Sequence, residues 1–334
     1  MKSSTLSKLA VGSVLALNLD SAMAQVVPFV DQAERVRQRQ ETERILRELQ
    51  QKDATPPELY PDEMSDVGPQ SILRIKQRKK YFEAFVDSQY FYTSNMFFQE
   101  NDPVGTGVLL STAQLAFAPP PLELGSGKLS YRVGYQHQWF NYGFEDHTGL
   151  LNNFDFDAET LFASVRYQTK NHWAFGAGLD WARLLGHEPS SANYTEFYKE
   201  YLPRWTVAKF FPINGKSLFA VGYLGSYHFS EVDPAPRKDI NDRWDHVLLG
   251  SYTYAFNRHW MAQPYYRFQF SHYTHANDRN DFLQTFGLSV SYFFTDYLGV
   301  RAFASYDLRE SNKPLVPDYR KLDAGMGVNL TLKF

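Results

Sequence analysis

From residue 321 to Phe334, apolar and polar positions alternate. Leu322, Ala324, Met326, Val328, Leu330, Leu332 and Phe334 interleave with Asp323, Gly325, Gly327, Asn329, Thr331 and Lys333. Successive strand side chains point to opposite faces, so this period of two gives one greasy face and one wet face. Similar segments lie near 80–95, 104–118, 128–141, 157–169, 172–186, 201–212, 216–230, 243–256, 259–274, 282–294 and 297–309. Each of the twelve is long enough to cross a hydrocarbon layer when tilted.

The links between them alternate as well. Lys170-Asn171, Ile213-Asn214-Gly215, Asn257-Arg258 and Thr295-Asp296 are brief, whereas the links after the third, fifth, seventh, ninth and eleventh segments are longer and polar. Short turns on one side and long loops on the other are the pattern of an antiparallel barrel with both termini on the short-turn side. Residues 119–127, beginning Pro119-Pro120-Pro121, are too long for a short turn and leave the strand count open in the first third.

Alternation also assigns faces. Leu129, Tyr131, Val133, Tyr135 and Trp139 point one way and Ser130, Arg132, Gly134, Gln136 and Gln138 the other; Trp173, Phe175, Leu179 and Trp181 oppose Gly176, Gly178 and Asp180. A charge on a lipid face near midplane costs about 2–4 kcal/mol, so the charged face is the lumen. The pore-lining set expected on this basis is Glu83, Asp87, Arg132, Arg166, Asp180, Arg204, Asp245, Arg267, Arg301, Asp307 and Asp323. Mixed charges of this kind either line a water-filled pore or form a salt-bridge network that holds a narrow barrel closed. Gly134, Gly176, Gly178, Gly222, Gly287, Gly299, Gly325 and Gly327 are expected to leave room inside. Lys209 shares parity with Trp205 and Val207 and is expected to snorkel at the short-turn edge. An exported β-sandwich also alternates, but with strands of roughly half this length.

The start of the chain fits export. Lys2 and Lys8 precede an apolar run from Leu9 to Leu17, followed by Ala22-Met23-Ala24, so residues 1–24 are read as a signal peptide. Residues 25–79 form a separate region. Asp31 and Glu34 suggest a capping box, and the charged run from Arg35 to Glu48 reads as a solvated helix ending before Pro56-Pro57. Val36, Ile45, Leu46 and Leu49 make only a thin apolar stripe. The region is expected to be a periplasmic helix or tether with a possible periplasmic partner for residues 31–55; a lumen plug and an oligomerisation helix are the other readings. Residues 80–334 are the barrel.

With no cysteine in 334 residues, a disulfide framework and a thiolate metal site are excluded. A net charge of -3 gives no reason to expect a nucleic-acid partner. Aromatic residues make up 16% of the chain, as interfacial girdles require. No cofactor motif is present.

The His272-Tyr273-Thr274-His275-Ala276-Asn277 stretch superficially resembles the segment of outer-membrane phospholipases, but Thr274 and Asn277 stand where a serine would be needed, and the two histidines have opposite parity. Asp146-His147 is a lone dipeptide. The chain is therefore not expected to be an enzyme.

Tyr92-Thr93-Ser94-Asn95, Ser271-His272-Tyr273 with Arg279-Asn280-Asp281, and Ser311-Asn312 with Tyr319 carry a resemblance. The barrel region resembles bacterial outer-membrane porins, in particular the beta-barrel porin 2 group. The resemblance implies an all-β fold, a transmembrane antiparallel up-and-down β-barrel of about twelve strands. It also implies an outer-membrane lipid environment, and recognition of a C-terminal signal at Phe334 by the barrel-assembly machinery. The function expected is a porin-like channel for passive passage or export of small hydrophilic solutes; the alternative is a non-conducting structural or assembly barrel.

Overall fold

In the computed structural model the described residues are 26–51, 79–143, 151–187, 194–233 and 237–334. The expected signal peptide, the linker at 59–70, Asp146-His147 and Asn193 lie outside them. One helix, α1 (Val26–Gln51), precedes the strands β1 (Phe82–Thr93), β2 (Thr106–Phe117), β3 (Leu122–Leu124), β4 (Gly127–Tyr142), β5 (Phe156–Thr169), β6 (Trp173–His187) and β7 (Tyr194–Asn214). They are followed by β8 (Ser217–Val232), β9 (Arg243–Ala255), β10 (Trp260–Tyr273), β11 (Asn280–Phe293), β12 (Leu298–Ser311) and β13 (Tyr319–Lys333).

Every long strand pairs antiparallel with its neighbours, and β1 closes on β13 from Glu83 opposite Lys333 to Thr93 opposite Asp323. Closure leaves no sheet edge, which hydrocarbon cannot solvate. Phe334 completes the seam: its N–H donates to the Phe82 carbonyl, its own carbonyl accepts from Tyr81 and Phe82, and its ring stacks on Phe82.

The long link at 119–127 conceals no missing transmembrane strand. Pairing of β2 with β4 runs to Phe117 opposite Val133; the prolines, which have no N–H to give, interrupt it, and β3 resumes on the same edge with Leu122 opposite Leu129. A tight turn at Gly125, with φ at +56°, leads into β4. Twelve long strands thus form the barrel.

One boundary differs from expectation. β7 starts at Tyr194 rather than near 201, and its added residues continue the pairing with β6 past a one-residue register shift at Leu184/Leu185. Its first residues break the apolar alternation because this end of the outer face is charged. Glu159 pairs with Arg183 at 2.6 Å and Lys199 with Glu231 at 3.1 Å.

Below that charged band the exterior is apolar. Val133, Leu161, Leu179, Leu248, Met326 and Val328 are all exposed, while Gln136, Asp180, Asp245, Arg301 and Asn329 on the alternate parity are buried. Trp139, Phe229 and Trp244 mark the long-loop end of this surface; Trp173, Phe211, Trp260 and Phe334 mark the short-turn end. Lys209 snorkels as its parity requires, donating to the Asn171 carbonyl in the β5–β6 turn beside the Trp173 and Phe211 rings.

Two substitutions separate the faces. Val328→Arg, on the outer surface, is expected to cost about 2–4 kcal/mol, whereas Ser164→Glu, facing the interior cavity across from Arg132, should stay within about 0.5 kcal/mol of wild type. Urea unfolding in lipid vesicles measures both, and equal costs would contradict the face assignment.

Candidate functional site

α1 lies inside the barrel. Its 26 residues reach about 39 Å at 1.5 Å per residue, enough to traverse a hydrocarbon layer of about 30 Å. Residue 26 lies at the long-loop end, where Phe29 packs edge-on against Phe98, Tyr142 and Phe156. Arg44 lies at the short-turn end, in a pocket shared with Lys80, Asp296 and Lys333. A helix without a fixed partner is therefore not what the chain forms.

The helix also begins five residues before the expected capping box. Its first turn holds Pro28, tolerated there because its missing N–H has no intrahelical acceptor, and the apolar residues Val26, Val27, Phe29 and Val30. Val30 and Val36 join Met96, Phe140, Tyr142, Phe156, Tyr198 and Val232 in an apolar cluster at the long-loop end. Asp31 and Glu34 do not cap: Asp31 accepts from Arg243 at 2.7 Å, and Glu34 accepts from Gln38.

From Arg35 to Glu41, α1 meets the wall chiefly through polar contacts on several strands. Arg35 pairs with Asp307 on β12, and Arg37 with Asp180 on β6 at 2.8 Å. Gln40 donates to Asp87 on β1 and Thr112 on β2, and accepts from Gln136 on β4. Glu41 faces Arg204 on β7 at 3.7 Å, and the Arg39 guanidinium stacks over Phe303. A helix with so thin an apolar stripe is unstable alone, but here its charged residues from Arg35 to Glu41 have wall partners.

Most of the expected pore-lining residues belong to this network. Glu83 pairs with Arg132, Asp87 with Arg301, Asp180 with Arg204 as well as Arg37, and Asp323 with Lys321. Asp245 sits between Arg243 and His228, and Asp307 also accepts from Thr285. Arg166 stacks over Phe210, and both Arg166 and Arg267 line a cavity beside α1.

Sequence reasoning missed the helix partners Asp31, Arg35, Arg37, Gln40 and Glu41, and the wall residues Arg243, Glu200 and His228. The dense charge of residues 31–44 was the available signal, but it suits bulk water as well as a polar lumen.

Only some of the glycines leave space. The Tyr265 ring covers Gly287, Phe91 covers Gly325 and Gln89 covers Gly327; Gly222 has open surroundings and lines the cavity. That cavity, about 1150 Å³, lies between α1 and the wall and extends to Lys79, Pro119 and Lys333 at the short-turn end.

Two groups among the described residues have metal-ligand chemistry: Glu34, His228 and Asp245 in the lumen, and Asp239, Asp242 and His275 in the loops. In the first, basic side chains of the protein already face the carboxylates. His228 lies 2.6 Å from Glu200 and 3.0 Å from Asp245, with Arg243 against Asp245. In the second, Arg237 occupies Asp239 at 2.6 Å and holds its carboxyl below the usual range. His272 hydrogen-bonds the Asn280 side chain and His275 the Asp239 carbonyl, so the two histidines serve separate loop contacts.

No family model matches the sequence, and no curated protein matches it. Solved structures do. An outer membrane channel from Pseudomonas putida F1 aligns with a TM-score of 0.50 at 12% identity, over 80% of this chain and 100% of that one. The NanC porin aligns at 0.43 and 12% identity over 74% and 100%, and the β domain of the Bordetella autotransporter BrkA at 0.43 and 10% over 75% and 99%. At these identities the likeness is one of fold.

The shared carboxylate yields a test. Asp180→Asn removes the partner of both Arg37 and Arg204, and is expected to cost on the order of 3 kcal/mol. Arg37→Ala should cost less because Arg204 keeps Asp180 engaged. Urea midpoints of the two variants measure the difference; an equal or reversed order would show that Asp180 does not join the helix to the wall.

Proposed function

We propose that the protein is a bacterial outer-membrane channel for small hydrophilic solutes whose lumen is closed, in the state described, by its own helix α1. The observation that carries this reading is the way α1 is held. From Arg35 to Glu41 its contacts with the wall are mainly polar and ionic, and a cavity runs beside it. Such contacts can be exchanged for water at small net cost, unlike a hydrophobic seam. The alternative, a non-conducting structural barrel, draws its support from the same ion pairs together with the aromatic seal around Phe29.

The outer-membrane location rests on the apolar belt, the aromatic girdles and the alternation of turn lengths, with export through a cleaved signal peptide as the route. For the described part of residues 31–55, the barrel wall supplies the contacts for which a periplasmic partner was expected. Phe334, exposed on the lipid face at the seam, is suitably placed to be the residue read by the assembly machinery.

Conductance in planar bilayers tests the channel. Deleting residues 26–51 removes no strand and should raise single-channel conductance roughly tenfold over the full chain. A deleted barrel that inserts, remains heat-modifiable and passes no current would establish the structural alternative.

Sidedness is tested separately. Single cysteines at Lys238, Asn277 and Lys313 should react in intact cells with a thiol reagent that cannot cross the outer membrane, and those at Asn214 and Asn257 should not. The absence of native cysteine makes the readout unambiguous. Labelling at Asn257 but not Asn277 would invert the orientation.

A further inference from the structure

Arg267 is the exception in the charge network. It is 6% exposed on β10, it lines the cavity beside α1, and its Nε and Nη1 atoms are buried without a hydrogen-bond partner. Among the described residues it makes no ion pair. Of the charged groups that act on it, Arg35 pairs with Asp307, Asp31 with Arg243, and Asp245 with Arg243 and His228, while Glu34 accepts a hydrogen bond from Gln38.

The cavity is strongly basic, with eleven lysines and arginines along its lining against four carboxylates. The chain's net charge of -3 conceals this, because positive charge is concentrated here and negative charge elsewhere. Thr285 lies directly across the β10–β11 pair from Arg267, and Gln38, Thr42, Ser251 and Gln263 add neutral polar groups elsewhere in the lining.

A buried guanidinium without an anion is unfavourable, and its planar fork of donors matches a carboxylate or phosphate with two parallel hydrogen bonds. The volume of about 1150 Å³ accommodates a small organic molecule with its water. We propose that this cavity is a binding site for a small solute bearing a carboxylate or phosphate group, anchored by Arg267. A free solute is favoured over a lipid headgroup because the cavity lies inside a closed wall and reaches outward at the short-turn end, past Lys79 and Lys333, rather than through the lipid face.

The proposal deepens the channel reading by naming the class of solute, and as cargo it rests on that reading. The two fail separately. A barrel lacking α1 that does not conduct removes the channel but leaves the site, whereas loss of the site leaves conductance untouched.

The test is equilibrium dialysis of inorganic phosphate against the full chain in detergent, at about 0.15 M sodium chloride to screen weak surface attraction. Saturable binding is expected, and Arg267→Gln should weaken it roughly tenfold or more. Leu249→Glu supplies a second route. Residue 249 lies directly across the strand pair from Arg267 and lines the cavity, so the new carboxylate should occupy the guanidinium and weaken phosphate binding with Arg267 still present. Heat-modifiability confirms that each variant is folded. A wild type that does not saturate below about 10 mM, or folded variants that both bind phosphate as wild type does, would overturn the proposal.

Discussion

Hydrocarbon tolerates neither an open sheet edge nor a charge, and the rest of the structure follows from that constraint. The β1–β13 seam closes the sheet, so each strand has an outside that must be apolar and an inside that must take everything else. The interior therefore gathers guanidinium and carboxylate groups, which cores bury only when they are paired. Arg243, Arg301, Asp87 and Asp180 are almost completely buried, and burial at that depth requires partners.

α1 supplies part of that partnership. Asp31, Arg35 and Arg37 each meet an opposite charge on a different strand, while Gln40 bridges three strands through its amide. A helix with this composition cannot hold itself in a fixed place by apolar burial. It is held because the wall is as polar as the helix, and because the Phe29 cluster anchors one end. The anchoring is uneven along its length, with an apolar seal at the long-loop end and a basic, solvent-accessible cavity toward the short-turn end. In the function proposed above, plug and channel are two states of one arrangement. Which is populated depends on how readily water replaces the ion pairs.

The wall was legible in the sequence to within a few residues because the lipid imposes a period of two on each strand, and that period is a local property. Val328 and Asn329 take opposite faces by parity alone. The exceptions are places where the lipid does not reach. The charged first residues of β7 extend the strand past the apolar belt, and the prolines at 119–121 interrupt a strand that resumes as β3. Both depart from the pattern, and both lie at an end of the barrel.

The sequence by itself determined the inward and outward faces and the charged character of the lumen, since each depends on neighbours one or two residues apart, while the strand count stayed open at residues 119–127 until the pairing of β2, β3 and β4 settled it. Only the tertiary structure decided where α1 goes, which arginine meets which carboxylate, and that Arg267 meets none among the described residues. Those outcomes depend on groups separated by up to hundreds of residues, such as Arg35 and Asp307, that closure brings within contact of one another. A polar helix has the same sequence pattern in water as in a polar lumen, because the period of its charges records that its surroundings are polar and carries no information about which surroundings they are.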